Sequence, residues 1–169
     1  MAEVNFHVMN AAVREHIAQV VGQICCHQHI SKDRSLSLGF GDVVRHTSAI
    51  ADADHGKWEV GTYYSSWRIL RGKQIVCGSQ DTVDSIDALR EAMNSVKWGS
   101  CTSIRQLTDF DVRVEFDNDV VVDFLATISD EDEVFHLFCP NKIVVAFSIT
   151  DGWRAGPSDK PWGAERGHS

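Results

Sequence analysis

The most constraining feature of this chain is a succession of short β-type runs joined by turns of two to four residues. The clearest case has Val114 and Phe116 on one side of Asp117-Asn118-Asp119, and Val120 and Val122 on the other. Asn and Asp tolerate the backbone that a tight turn demands, and alternate apolar side chains give each flank one face to bury. A parallel return needs a crossover of about a dozen residues, so neighbours joined this closely must pair antiparallel.

The same reading extends over residues 57–64, 66–70 and 74–78 before the middle of the chain. After it come residues 102–107, 111–116, 120–127, 134–138 and 143–149. Arg71-Gly72, Thr108-Asp109, Ser129-Asp130-Glu131-Asp132 and Pro140-Asn141 supply the intervening turns. Residues 35–40 add a further strand, with Leu36, Leu38 and Phe40 on one face.

Two stretches follow the helical period instead. In residues 10–26, Val13, Ile17, Val20, Val21 and Ile24 recur at three- and four-residue steps, and Asn10 is the expected N-cap. Asp81 is the expected N-cap of a second helix. Its stripe is Val83, Ile86, Leu89 and Met93, with Asp84 and Asp87 near the positive end of the dipole and Trp98-Gly99 as its stop. The expected architecture is therefore α+β: an antiparallel sheet, or two sheets, with an N-terminal helix and a second helix between two groups of strands. The whole chain, residues 1–169, is expected to form one domain. Residues 1–30 form its N-terminal helical segment, and residues 151–169 form a C-terminal tail packed on it, with Trp153 and Trp162 as anchors.

Composition excludes several function classes. No run approaches the about 18 apolar residues of a membrane span, and the N-terminus lacks the basic start and apolar stretch of a secretory signal. Five cysteines, two of them adjacent, do not suggest a disulfide framework, so reduced thiols in a cytoplasmic protein are expected. A net charge of −8 and a pI near 5.4 repel nucleic-acid phosphates and anionic lipid, and favour encounter with a basic protein.

Catalytic signatures are missing from the sequence. Cys25-Cys26-His27-Gln28-His29 is the densest group of metal-ligand types, with His46 and His55 the nearest supplements. On a helix, Cys25 and His29 share a face while Cys26 and His27 point elsewhere, so no tetrahedral set forms and no metal is expected. Cys77 and Cys139 lie in apolar strand-like runs, an unsuitable setting for a nucleophile. Trp58 and Trp67, with Tyr63, Tyr64 and Trp98, offer a base-stacking face for a small ligand or single-stranded nucleic acid. Only Lys57, Arg68, Arg71 and Lys73 would supply its basic groove, and core packing accounts better for the tryptophans. No cofactor is indicated.

Several segments together resemble a known family. They are Gly56-Lys57-Trp58-Glu59-Val60-Gly61 leading to Ser66-Trp67-Arg68-Ile69, then Cys77-Gly78-Ser79-Gln80-Asp81, then Phe110-Asp111-Val112-Arg113-Val114-Glu115-Phe116-Asp117-Asn118. Asp123-Phe124-Leu125 and Ser158-Asp159-Lys160-Pro161-Trp162 complete the set. Over about residues 36–162 the chain resembles bacterial immunity proteins of contact-dependent growth-inhibition and polymorphic toxin systems. The resemblance implies a cytoplasmic, non-enzymatic protein that binds and neutralises the toxic domain of a cognate toxin, commonly a nuclease. It carries over no functional residue, because the toxin-facing surface differs between pairs. On charge alone, the expected contact residues are Asp130, Glu131, Asp132 and Glu133, followed by Asp109, Asp117 and Asp119.

Overall fold

Hairpin follows hairpin along this chain, and the strands sort into two antiparallel sheets. The computed structural model describes residues 8–45, 54–63, 65–129 and 133–159. The first sheet contains β1 (Cys25–Ile30), β2 (Leu36–Val44), β3 (His55–Gly61), β9 (Phe135–Cys139), β10 (Ile143–Ser148) and β11 (Gly152–Pro157), in the order β1-β2-β3-β9-β10-β11. The second contains β4 (Ser66–Arg71), β5 (Gln74–Gly78), β6 (Cys101–Gln106), β7 (Val112–Phe116) and β8 (Val120–Leu125), in the order β5-β4-β8-β7-β6. The expected α+β class and the second helix between strand groups are both present, with two sheets and not one.

Alternation decides which side chains meet. Leu36, Leu38 and Phe40 of β2, Trp58 and Val60 of β3, and Phe135 and Leu137 of β9 face Trp67, Ile69, Val112, Val114, Val122 and Phe124 of the second sheet in one apolar core. Phe124 meets Phe135 edge-on at 5.4 Å, and Phe40 stacks on Phe116 at 5.8 Å. Trp58 and Trp67 are therefore core residues, only 7% and 2% exposed, and form no stacking platform.

The sheets twist against each other. At one end β1 meets β6, where Ile24 bridges Ser100 and Cys25 donates its backbone N–H to Gly99 at 3.0 Å. At the other end the β1–β2 turn reaches the end of β5, where Arg34 Nη1 donates to the Ser79 and Asp81 carbonyls at 2.9 and 2.7 Å. The same edge strand thus lies over different partners at its two ends, as right-handed strand twist requires.

Three local expectations give way to long-range pairing. Helix α1 spans Ala11–Val20, shorter than residues 10–26, with the Asn10 side chain accepting the Val13 N–H at 2.9 Å as expected. Gly22, at φ +91°, turns the chain, and residues 25–30 join the sheet as β1. Val21 and Ile24, which continue the helical period, stand exposed as a result. Strand partners satisfy more backbone groups there than another helical turn would. Helix α2 spans Ile86–Asn94 behind an N-cap at Ser85, while the Asp81 carboxylate accepts the Gly78 N–H at 3.1 Å instead of capping. The C-terminal segment enters as strand β11 before it is a tail, and α1 packs against that strand. Trp153 is buried there, and Trp162 lies outside the described residues.

On the outer face of the second sheet, Arg68, Asp123 and Arg113 stand in one cross-strand row. The Asp123 carboxylate is fully buried and accepts Arg68 Nε at 2.8 Å, Arg113 Nε at 2.7 Å and Arg113 Nη2 at 3.0 Å. Asp123→Ala leaves two guanidinium groups facing each other across the gap. It should lower unfolding stability by about 3 kcal/mol, the low end for breaking a buried pair because both cations keep some solvent contact. Urea denaturation with an unchanged slope measures that loss.

Candidate functional site

Strand direction gathers the loops into two groups. The turns after β1, β3, β5, β6, β8 and β10 converge at one end, the loop end. Ser65 Oγ donates to the Glu133 carbonyl at 3.3 Å, Ser66 and Thr127 share a hydroxyl bond at 3.0 Å, and Ala126 N–H donates to Asp111 at 2.9 Å. Those contacts, with the Arg34 bonds to Ser79 and Asp81, tie neighbouring loops into one surface.

This surface combines carboxylates with exposed apolar side chains. Its described turns carry Asp33, Asp81, Asp84, Asp109, Asp111, Glu133 and Asp151, against Lys32 and Arg34. Tyr63, Phe110 and Ile128 stand among them, 56%, 51% and 52% exposed. Scattered exposed apolar residues are ordinary, whereas three on adjoining turns amid one sign of charge form a patch.

The expected contact residues divide between the two ends. Asp109 and Glu133 belong to the loop end, and Asp130, Glu131 and Asp132 lie outside the described residues. Asp117 and Asp119 sit at the opposite end, where they do structural work. Asp117 Oδ1 accepts the Ser100 N–H at 3.0 Å, and Asn118 bonds the Lys97 carbonyl. Asp119 takes the left-handed conformation at φ 64°, and its carbonyl accepts the Gly72 N–H at 3.0 Å. Nor is every loop-end carboxylate at liberty: Asp111 is held by Thr108 and Ala126, and Glu133 by His136. Phe110 and Ile128 escape a sequence reading as contact residues because isolated turn residues carry no periodicity, and Tyr63 enters it only within the base-stacking set.

The outer face of the first sheet holds the histidines. Cross-strand pairing aligns His29, Ser37, Gly61 and His136 in one row, and His27, Gly39, Glu59 and Phe138 in the next. Two glycines leave room for side chains to lie flat. Glu59 folds over Gly39, accepting the Gly56 N–H at 2.8 Å and the Ser37 hydroxyl, with His27 Nδ1 3.5 Å away. The His136 ring lies over Gly61 between Tyr63 and Phe138, and its Nδ1 donates to Glu133 at 2.6 Å. A carboxylate bonded to Nδ1 holds the ring in one orientation. Among the described residues the cysteines are not in an activating setting. Burial pushes the thiols up, to about 12 for Cys25 and Cys101 and about 11 for Cys77 and Cys139.

Cys25-Cys26-His27-Gln28-His29 lies on a strand and not a helix, so His27 and His29 share the outer face while Cys25 is buried. His55 bonds the Gly56 carbonyl, and His46 lies outside the described residues. Among the described residues, no three His, Cys, Asp or Glu side chains converge on a common metal position. None of the described helices is long and apolar enough to cross a membrane. The chain matches no known protein family, no characterised protein and no solved structure.

The contact with Glu59 holds the His27 pKa above its ordinary value, against the opposing effect of burial, with Asp54 adding to the rise. A raised folded-state pKa stabilises the protein below the unfolded value of about 6.5, and that gain is lost as pH rises through the folded value. The stability gap between wild type and His27→Gln should therefore be wider at pH 5.5 than at pH 8.5, seen as a larger difference in urea midpoint. Paired urea titrations at the two pH values test the sign.

Proposed function

We propose that this chain is a non-catalytic binding protein that docks a basic protein on its loop end. Its class is that of immunity proteins that neutralise the toxic domain of a cognate bacterial toxin in the cytoplasm. The observation that carries the reading is the set of Tyr63, Phe110 and Ile128, each more than half exposed, on turns rich in carboxylate. Apolar and aromatic anchors surrounded by charge supply what protein interfaces need: desolvated contact at the centre and steering at the rim.

The charge supports the choice of partner. A net charge of −8 speeds encounter with a basic surface and disfavours nucleic acid. A nuclease must itself be basic where it holds phosphates, so an acidic loop end can occupy that cleft in place of the substrate. Two tied sheets make a rigid support for such loops, so little ordering entropy opposes binding.

Co-expression with C-terminal toxic domains of secreted bacterial toxins, drawn first from any encoded by the flanking genes, tests the reading. A complex and protection from toxicity are expected, with an association rate that falls at least about tenfold between about 50 and 300 mM salt. Phe110→Ala and Ile128→Ala should each weaken binding about tenfold or more while leaving the fold intact. Absence of both complex and protection, or binding indifferent to these substitutions, counts against it.

A further inference from the structure

A small polar cavity opens within the loop end. It has a volume of about 120 Å³ and is lined by Asp33, Arg34, Tyr63, Ser65, Ser66, Ser79 and Gln80. We propose that this cavity is the anchor site for one basic side chain, arginine or lysine, projecting from the bound protein. The proposal rests on the loop-end reading above and narrows it to one contact.

The hydrogen-bond inventory of the lining favours a cation. Ser65 Oγ spends its proton on the Glu133 carbonyl and so faces the cavity as an acceptor. Ser66 Oγ is satisfied by Thr127 and by the Gln80 amide N–H, which leaves Gln80 Oε1 as a further acceptor. Asp33 is an exposed carboxylate residue of the lining. Tyr63 also lines the cavity, and an aromatic ring is a group that an alkylammonium or guanidinium cation is attracted to.

Arg34 is the one cation of the lining, and its position is fixed. Its backbone is left-handed at φ 66°, its carbonyl accepts Trp67 Nε1 at 2.7 Å, and its Nη1 is committed to the Ser79 and Asp81 carbonyls. Asp33 offsets its charge, and Asp81, Asp84 and Glu133 on the adjoining turns leave the surroundings net negative. Lys32 on the same turn is exposed and does not line the cavity. The Ser79 hydroxyl accepts the Trp67 N–H at 3.0 Å, so the cavity floor is part of the same bonded frame as the sheet contact. The site is therefore preformed, and an entering side chain has little to reorganise.

The tripeptides Gly-Arg-Gly, Gly-Lys-Gly and Gly-Glu-Gly, titrated into the ¹⁵N-labelled full chain, provide the test. Gly-Arg-Gly should shift the amide signals of Asp33, Ser65, Ser79 and Gln80 and saturate in the range of about 1–20 mM, with Gly-Lys-Gly equal or weaker. Asp33→Asn and Tyr63→Ala should each weaken that response about threefold to fivefold, with the signal of the Trp153 indole, bonded to Gln106 away from the cavity, unmoved as a check on folding. No response to Gly-Arg-Gly, an equal response to Gly-Glu-Gly, or a response unchanged in Asp33→Asn overturns the proposal. Loss of the peptide response with salt-sensitive partner binding intact removes the anchor and leaves the loop-end reading standing. A retained peptide response without a partner complex has the opposite meaning.

Discussion

Two tryptophan N–H groups reach from one sheet to the other at the loop end. Trp67 of β4 donates to the Arg34 carbonyl between β1 and β2, and Trp153 of β11 donates to the Gln106 side chain of β6. One bond closes the β1–β5 side of the sandwich and the other closes the β11–β6 side. Both tryptophans are buried, so each exchanges a solvated donor for a fixed bond, and leaving it unmade would cost more than making it gains. The loops that carry Tyr63, Phe110 and Ile128 are held in register by this closure.

The two outer faces meet water differently. On the second sheet, three arginines and two carboxylates form a flat ionic lattice around buried Asp123, and Arg105 pairs with Glu115. The Arg105 guanidinium beside Glu115 holds that carboxyl below its usual range. On the first sheet, Gly39 and Gly61 let Glu59 and His136 lie across the strands, and a Cβ at Gly61 would approach the Leu36 carbonyl to 2.7 Å. The Glu133–His136–Tyr63 stack joins that face to the loop end, so the rigid sheet and the proposed docking surface share side chains.

Hairpins were the most legible part of the sequence. Asp117-Asn118-Asp119 and Arg71-Gly72 turn as their residue types require, with left-handed backbone at Asp119 and Gly72. Helical periodicity misled where a strand partner was available: Val21 and Ile24 fit a stripe, yet Gly22 and the β6 contacts draw the chain away. The cluster around Cys25 was misread for the same reason, because a period of two puts His27 and His29 together and a period of 3.6 does not. Carboxylate runs stood out in the sequence, but their roles did not. Asp117 and Asp111 both prove to be backbone acceptors, at opposite ends of the sandwich.

By itself the sequence determined the antiparallel pairing, the alternation that selects the core, and the acidity of the surface. Short turns, β-branched runs and formal charge are local properties, readable without knowing what packs on what. Tertiary structure alone decided that the strands divide into two sheets and that six turns meet at one end. It also decided that the turns carrying Tyr63, Phe110 and Ile128 lie at that same end and that Tyr63 lines the Asp33 cavity. Such proximity depends on which distant strands pair and how the sheets twist, and no local propensity encodes it.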